Sequence, residues 1–421
     1  MTDMSNACRS TVLQGDGASI VTAEQMPLPD TTGDFGKADR PLKILFHSWS
    51  LGGGGAERVF AVLASGLARR GHEVLFSVES IDNQNLRYLD PAVRQLPPTG
   101  GRWETIAKLA RLLRTEKPDV SVSAISACNM RHAIAACLAG RRNRAIMTYH
   151  GHSTAEPELS NQIGYWMTWA TSRVVARTVA VSDGLRQHVI RDWWGSAKRT
   201  VRIYNPTLSS RDPGIAGSEA DLLNRPPLVL SVGSFLPRKN FLALIRGFAK
   251  VETPDAKLLI LGEGRQRPEL EAEVARLGLQ DRITLPGYVP APWMAYRQAR
   301  GFAFASRKES FGLVLVEALA EGLPIVVTPS DGPNEILDQG RHGTLVPHDD
   351  ADAMAAAIDR MLAHPGDPLP RLARAAAFSV ENGIKAYEKM FTTIAGDADH
   401  RGHRGEIGGD TGSNDAVRDP L

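Results

Sequence analysis

The sequence predicts an α/β protein built from two doubly wound domains. Short apolar strands alternate with longer helical segments along most of the chain. A stretch rich in Pro, Gly, Ser and Asp interrupts the alternation at 206–227, and a second strand–helix series with a different sequence then begins. Such alternation is typical of a parallel sheet covered by helices on both faces. The length of 421 residues suits about two domains.

The first series occupies residues 41–205 and follows a polar leader, 1–40, which we expect to lack fixed structure. Its strands are predicted at 43–48, 71–78, 119–123, 145–149 and 178–181. The helices between them are predicted at 59–70, 103–116, 129–140 and 160–174. We therefore expect one Rossmann-like domain before the linker.

The second series occupies residues 228–378. Its strands are predicted at 228–232, 257–261, 283–285, 301–305 and 324–328, and its helices at 239–251, 266–277, 291–299 and 312–321. A last helix, 379–395, is expected to pack back on the first domain, and the tail 396–421 to lack fixed structure. Two such domains facing each other place a cleft at the carboxyl ends of their strands, where ligands bind in these folds.

Charge and cysteine content narrow the class of protein. The net charge of +2 gives no reason to expect a nucleic-acid partner. The chain has no apolar run of about 18 residues, so no membrane-spanning helix is predicted. Its first residues also lack the basic-then-apolar pattern of a signal peptide. Cys8, Cys128 and Cys137 are an odd number without metal-ligand spacing, which is typical of a reducing cytoplasm.

The most informative segment is 306–328, in which Glu309 and Glu317 stand eight residues apart around a predicted helix start at Gly312. A helix N-terminus attracts anions, whereas two carboxylates beside it suit neutral hydroxyls. The combination suits a ligand that carries both a diphosphate and sugar hydroxyls, which is a nucleotide-sugar. The alternative interpretation is a buried helix followed by a buried strand, with Glu317 on the surface.

Six further motifs accompany this segment in a fixed order. They are Gly53-Gly-Gly-Ala-Glu-Arg58, Tyr149-His150, the segment 231–240, Leu261-Gly-Glu-Gly264, Gly287-Tyr-Val289 and Asp331-Gly-Pro-Asn-Glu-Ile336. On these motifs the chain resembles the retaining glycosyltransferases of the GT4 family, which have the two-domain GT-B fold. The resemblance covers roughly residues 43–395.

The resemblance implies roles for the residues around the glutamate pair. Glu317 would hold the ribose hydroxyls, and Glu309 would contact the donor sugar near the reacting centre. The backbone N–H groups of 311–313 (Phe311, Gly312 and Leu313) would meet the sugar and the diphosphate. Lys239 would neutralise the leaving diphosphate, where a charge aimed at a developing anion accelerates the reaction.

One position departs from the family pattern. Ser234 stands where members of the family usually carry arginine. Arg238 is the candidate to compensate, unless its side chain points to solvent.

The resemblance also assigns roles in the loops of both domains. His150 would face the donor sugar as a catalytic residue, with His152 as the fallback, although a lone histidine is more often structural. Gly54 and Gly55 would let the backbone approach phosphate or acceptor, unless this loop is a plain tight turn. The segment around Tyr288 would read the nucleotide base. Glu335 is either structural, a helix cap or a ligand contact.

The predicted activity is a retaining transfer of sugar from a nucleotide-diphosphate sugar, UDP-sugar first and GDP-sugar next, to a glycan or polyprenol-linked acceptor in polysaccharide or surface-glycan synthesis. No cofactor and no metal are expected, because Lys239 with helix N–H groups would take the role of the metal. Two alternatives stay open: a non-catalytic GT-B relative that binds a partner, and a GT-B nucleotide-sugar epimerase.

Tryptophan-rich segments at 164–169 and 191–194 lie among basic residues of the first domain. Such mixtures suit an anionic membrane interface, so we expect a cytoplasmic protein with peripheral contact to the inner membrane. The alternative is that these tryptophans are core residues.

Overall fold

The computed structural model describes residues 36–100, 102–153, 158–207, 216–290 and 292–406. Residues 1–35 of the expected leader and 407–421 of the expected tail lie outside the described residues. The described chain forms two parallel sheets, of seven and six strands. The predicted α/β class with two doubly wound domains is confirmed.

The first domain is a seven-stranded parallel sheet with helices on its faces. Its strands are β1 (Lys43–Ser48), β2 (Glu73–Val78), β3 (Arg94–Gln95), β4 (Val120–Ala124), β5 (Ala145–Tyr149), β6 (Arg177–Ala180) and β7 (Thr200–Arg202). Its helices are α1 (Gly55–Arg69), α2 (Arg102–Glu116), α3 (Ser126–Leu138), α4 (Leu159–Trp166), α5 (Thr168–Val174) and α6 (Asp183–Arg191). The strand order is β3-β2-β1-β4-β5-β6-β7.

The second domain repeats this design with six parallel strands. They are β8 (Leu228–Val232), β9 (Lys257–Leu261), β10 (Ile283–Gly287), β11 (Gly301–Phe304), β12 (Ile325–Val327) and β13 (Thr344–Leu345). Its helices are α7 (Glu219–Leu223), α8 (Phe241–Phe248), α9 (Arg267–Arg276), α10 (Trp293–Gln298), α11 (Leu313–Ala320), α12 (Asp331–Ile336), α13 (Ala351–Ala363) and α14 (Leu369–Ala376). The strand order is β10-β9-β8-β11-β12-β13.

Both sheets reverse their strand order beside their first strand, between β1 and β4 and between β8 and β11. In open parallel sheets such a switch point leaves a crevice at the carboxyl ends of the strands, and ligands bind there. The loop after β1 contains the predicted glycines, the loop after β8 contains residues 234–239, and the loop after β11 contains Glu309. The topology therefore brings these loops to one place.

The last helix, α15 (Val380–Glu406), returns to the first domain and packs on α1. Gly66 of α1 permits the contact, because a Cβ there would lie 2.1 Å from Ile384 Cδ1. Glu388 of α15 also accepts hydrogen bonds from Arg70 and from His72 at 2.9 Å. The chain thus crosses from the second domain back to the first.

Several predicted boundaries differ from the structure. The helix expected at 160–174 is two helices, α4 and α5, separated at Met167. The helix expected at 239–251 begins at Phe241, because Asn240 has left-handed backbone angles (φ 55°) and Lys239 lies in a 3-10 turn. The expected linker 206–227 contains α7, which Ser218 begins with a reciprocal capping box. The tail expected from 396 is helical to 406.

Candidate active site

A cleft of about 1060 Å³ lies between the two domains. The residues predicted to bind the donor or to catalyse line it, whereas the fallback His152 and Glu335 do not. The first domain contributes the loop after β1 and the end of β5, with Gly54, Gly55 and His150. The second domain contributes the loops after β8 and β10, the segment before α11, and α11 itself. Those elements carry Arg238, Lys239, Tyr288, Glu309, Phe311, Gly312, Leu313 and Glu317. Residues predicted from the sequence therefore line the cleft from both domains.

Helix α11 begins at Leu313, with Gly312 as its N-cap, as predicted. Gly312 has φ 94°, a left-handed conformation that favours glycine, and a Cβ there would approach Leu315 and Glu309 to 3.1–3.3 Å. Gly312, Leu313 and Val314 of this helix start line the cleft, and the first N–H groups of a helix lack partners within it. This end of α11 is suited to an anion.

Lys239 forms an ion pair with Glu309 beside this helix end, and both side chains are largely buried. Burial raises the pKa of Glu309, but the Lys239 ammonium, Arg238 and the Phe311 N–H together hold that pKa below its ordinary value. Glu309 is therefore ionised at neutral pH. The pair places one cation and one anion side by side next to the start of α11.

Arg238 lines the cleft beside Lys239, is half-buried, and lies close enough to Glu309 for its charge to lower the pKa of that carboxyl. Its backbone carbonyl accepts hydrogen bonds from Ser306 Oγ at 3.0 Å and from the Arg307 N–H at 2.8 Å. This anchoring ties the turn that carries both cations to the loop that carries Glu309. Ser234, where the family pattern has arginine, is an exposed residue of the cleft wall.

Glu317 is buried, with 1% of its side chain exposed, which excludes the interpretation as a surface residue. Its Oε1 pairs with Arg58 of the first domain, and its Oε2 accepts a hydrogen bond from Tyr296 Oη at 2.9 Å. Burial disfavours charge on Arg58, yet Glu317 raises the pKa of Arg58 above its ordinary value. The carboxylate predicted to hold the ribose thus also joins the two domains.

Gly54 and Gly55 lie at the start of α1, where the two domains come close. A Cβ on Gly55 would lie 3.2 Å from Leu313 Cδ1 of the second domain, and a Cβ on Gly54 would collide with Glu57. The missing side chain of Gly55 therefore lets the two domains come close, whereas Gly54 leaves room for the Glu57 side chain of the same helix.

His150 follows β5, and its Nε2 lies 3.0 Å from Thr148 Oγ1. The Thr148 hydroxyl donates its hydrogen to the Ser123 carbonyl, so His150 Nε2 carries the proton of this contact and Nδ1 is an acceptor. Burial lowers the pKa of His150 to about 4, which the neighbouring Asn205 side chain only partly offsets. The imidazole is therefore neutral at pH 7.

Two acceptors next to the cleft have no hydrogen-bond partner of regular geometry among the described residues. They are His150 Nδ1 and Asn205 Oδ1, both buried. Buried polar atoms are nearly always paired. The Asn205 side chain is a neighbour of His150 within the chain, and a hydroxyl donor of a sugar would give either acceptor a well-aligned hydrogen bond.

The remaining predicted residues divide between the cleft and the domain interface. Tyr288 is half exposed, and its hydroxyl accepts a hydrogen bond from Arg87 of the first domain at 3.2 Å. The Phe311 ring is buried against Tyr204 and Phe378, so only its backbone is available to a ligand.

Glu335 contacts the first domain and caps a helix there. It accepts the Asp183 N–H at the start of α6 and the Tyr204 hydroxyl, each at 2.7 Å, and pairs with Arg202 at 3.1 Å. Among the alternatives for Glu335, the structure shows the helix cap, formed at the start of α6.

Sequence reasoning missed Arg58, Tyr296 and Asn205. Arg58 belongs to the quoted glycine motif, and its position at the second turn of α1 was the signal that could have found it. Tyr296 and Asn205 are distant from every motif, and only the fold brings them to Glu317 and His150.

Known families and structures match both domains. The profile of the glycosyl transferases group 1 family matches residues 218–378, and that of glycosyltransferase family 4 matches residues 53–207, together about three quarters of the chain. Among solved structures, that of Anabaena HepE in complex with UDP and glucose has a TM-score of 0.70 at 20% identity, covering 83% of this chain and 99% of HepE.

Curated relatives are similar over most of their length. The lipopolysaccharide core biosynthesis glycosyltransferase LpsE of Rhizobium meliloti (strain 1021) is 27% identical over 328 residues, which is 74% of this chain and 86% of LpsE. The N-acetyl-alpha-D-glucosaminyl L-malate synthase of Bacillus anthracis is 27% identical over 330 residues, which is 73% of this chain and 83% of that enzyme.

Two Rossmann-like domains that enclose a central cleft make up the GT-B fold, so the predicted fold is confirmed. The resemblance stated on the motifs is confirmed as well. The chain belongs to the GT4-type glycosyltransferases.

Proposed function

We propose that the protein transfers a sugar, with retention of anomeric configuration, from a nucleotide-diphosphate sugar to an acceptor used in polysaccharide or surface-glycan synthesis. The observation that supports it most is the Lys239–Glu309 pair at the start of α11, with Arg238 beside it. UDP-sugar is the favoured donor, GDP-sugar the next. Anabaena HepE, which has this fold, was solved with UDP and glucose, and LpsE acts in lipopolysaccharide core biosynthesis.

In the proposed reaction the bond between the anomeric carbon and the diphosphate oxygen breaks, and its electron pair leaves with the diphosphate. Lys239, Arg238 and the N–H groups of α11 stabilise the growing negative charge. The acceptor oxygen bonds to the same face of the anomeric carbon, and its proton passes to a diphosphate oxygen. Glu309, ionised beside the sugar, stabilises the oxocarbenium-like state.

The same arrangement supports a donor site that works without a metal at the diphosphate. Arg238 and Lys239 bring two positive charges to the wall where the diphosphate would lie. We expect donor turnover to persist in EDTA, and its abolition there would contradict this assignment.

Calorimetry without added metal tests the donor site first. The protein is titrated with UDP, GDP and ADP, and we expect one nucleotide to bind more tightly than the others. Nuclear magnetic resonance of the product formed from the matching α-linked donor then reads the anomeric configuration. A β-linked product would exclude retention.

The two alternatives make different predictions in the same experiments. A nucleotide-sugar epimerase converts the donor without any acceptor, so a changed sugar in an acceptor-free incubation would favour it. A non-catalytic relative would bind no donor, and the exposed Ser234 is the feature that favours it.

A second observation concerns the acceptor side of the first domain. Helices α4 and α5 and the segment after α6 expose large apolar side chains, here called the tryptophan patch: Leu159, Ile163, Trp166, Trp169 and Trp194. Arg173 ties two of them together, because its guanidinium contacts the carbonyl oxygens of Trp169 and Trp194. Of the tryptophans in these segments, Trp193 is a core residue and the other three are exposed.

We propose that the tryptophan patch rests on the headgroup region of an anionic membrane and brings a polyprenol-linked acceptor to the cleft. Among the described residues, no helix combines the length and the apolar character needed to cross a bilayer. Interfacial tryptophan with nearby arginine suits a surface contact.

Liposome sedimentation at low salt tests the contact. A double variant, Trp166→Ser with Trp169→Ser, should lose most binding to anionic vesicles, whereas Trp103→Ser, at an exposed tryptophan of α2, should keep it. Equal binding of both variants, or no binding by the parent protein, would contradict the proposal.

A further inference from the structure

Two histidines and one aspartate meet at a second point of the domain interface, and none of them lines the cleft. His152 follows β5, and His188 lies on α6 of the first domain. Asp331 begins α12 of the second domain. Their ligand atoms all lie within 4.8 Å of one another.

The distances suit the ligands of one metal ion, and the shorter of them also allows a hydrogen bond from His152 to Asp331. Asp331 Oδ2 lies 3.2 Å from His152 Nε2 and 3.5 Å from His188 Nε2. A well-formed N–H···O⁻ contact is about 2.7–2.9 Å. In a tetrahedral zinc site with bonds of about 2.0–2.1 Å, neighbouring ligand atoms lie about 3.3 Å apart. Both distances are close to that separation.

The surroundings hold the ligands in place. His188 Nδ1 contacts Asp192 on the next turn of α6, so Nε2 is left for the ion, an arrangement that metal-binding histidines usually have. Gly184, one turn before His188, leaves room for Asp331, since a Cβ there would lie 2.4 Å from Asp331 Cβ. Asp331 is one third exposed, so an ion can enter from solvent.

We propose that His152, His188 and Asp331 bind one divalent transition ion of the zinc class, which clamps the two domains together. Imidazole ligands select such ions over magnesium or calcium, which prefer oxygen. Because two ligands belong to the first domain and one to the second, the ion joins the domains only while they are close. A water or another ligand would complete the tetrahedron.

The proposed ion is distinct from the donor site. Neither His152 nor Asp331 lines the cleft, so the chemistry proposed above does not pass through the ion, and turnover should survive its removal. Another group of possible ligands, His47, Glu79 and Cys128, is buried around the Arg131 guanidinium, which pairs with Glu79 at 2.7 Å and occupies the place of a cation.

Zinc titration against a competing chromophoric chelator tests the clamp on the full chain after EDTA treatment and desalting. We expect one ion at this site, which Asp331→Asn and His188→Gln each abolish. Asp192→Asn, which leaves all three ligands, should weaken binding about tenfold or more. His348→Ala removes an exposed histidine elsewhere and should change nothing. Circular dichroism shows that each variant is folded.

Thermal unfolding gives a second readout. Zinc at about 100 times its Kd should raise the Tm of the parent protein by about 3 °C. The Tm of the Asp331→Asn protein should not change. Equal zinc affinity in the parent and in both ligand variants would overturn the proposal, as would a parent that binds no zinc. Loss in His188→Gln but not in Asp331→Asn would place the ion within the first domain and overturn the clamp.

Discussion

The charge on Lys239 offers the most direct test of the proposed chemistry. We expect Lys239→Met, which keeps the unbranched chain and removes the ammonium, to lower kcat about 10²–10³-fold. The reason is that this ammonium lies against Glu309, at the place proposed for the leaving diphosphate. The loss corresponds to about 3–4 kcal/mol of transition-state stabilisation.

The structure makes a loss of this size reasonable. The Lys239 and Glu309 side chains are 13% and 16% exposed, so water screens their charges only in part. Two unit charges about 3 Å apart, at an effective dielectric constant of about 20, attract each other by about 5 kcal/mol before the cost of desolvation. A diphosphate oxygen in contact with Lys239 would experience an attraction of the same order.

The pH dependence gives an independent readout of the same substitution. In the parent protein burial raises the pKa of Glu309, and Lys239 with its neighbours lowers that pKa by more, so Glu309 stays ionised until the pH falls through a depressed pKa. Without the ammonium, burial dominates and the pKa of Glu309 rises. The acid limb of the kcat profile should therefore move to higher pH in Lys239→Met.

The assay is initial-rate donor turnover across pH at saturating donor. Arg307→Met is the matched control, since Arg307 lies on the loop of Glu309 but is exposed and pairs with Asp349. We expect it to retain the parent rate and profile. An unchanged kcat in Lys239→Met would refute the assignment of Lys239 to the diphosphate, and an acid limb that stays in place would refute its control of Glu309.

Three further substitutions test other parts of the cleft. Arg238→Ala should weaken nucleotide binding about tenfold in calorimetry. Adding Ser234→Arg to that variant should restore binding, because either position can supply the second cation. If binding is not restored, Arg238 acts in another way. Asn205→Ala should raise the donor KM about 5- to 30-fold, which corresponds to about 1–2 kcal/mol, since the proposed buried acceptor for a sugar hydroxyl is lost. An unchanged KM would contradict that contact. Gly312→Ala should destabilise the protein by about 1–2 kcal/mol in urea unfolding, because φ 94° is strained for alanine, and equal stability would show that the loop relaxes.

Most of the fold was predictable because buried parallel strands are short apolar runs that stand out between helices. The order of the strands in each sheet was not predictable, since nothing in the local sequence of β1 requires β4 rather than β3 as its neighbour. Helices α13 and α14 were missed although Asp350 caps α13 by accepting the Ala353 N–H, an ordinary start signal. Strands β3 and β13 have two residues each, too few for any period to show.

The candidate site was predictable where its residues share a motif. Glu309 and Glu317 were found because one short segment contains both and the helix start between them. The contacts of these residues were not predictable, since Glu317 meets Arg58 across 259 positions of sequence and Glu309 meets Lys239 across 70. Residues without a motif, such as Asn205, acquire a role only from what the fold places beside them.

The hydrogen-bond partners of Glu317 affect how a nucleotide could bind in the cleft between the two domains. An ionised carboxylate can accept about four hydrogen bonds. Arg58 uses one position on Oε1, and the Tyr296 hydroxyl uses one on Oε2, which leaves about two for the neighbouring hydroxyls of a ribose. A ribose could therefore bind without displacing Arg58, so Glu317 would hold the nucleotide and the first domain together. On this argument, nucleotide binding and closure of the cleft reinforce each other through one buried carboxylate.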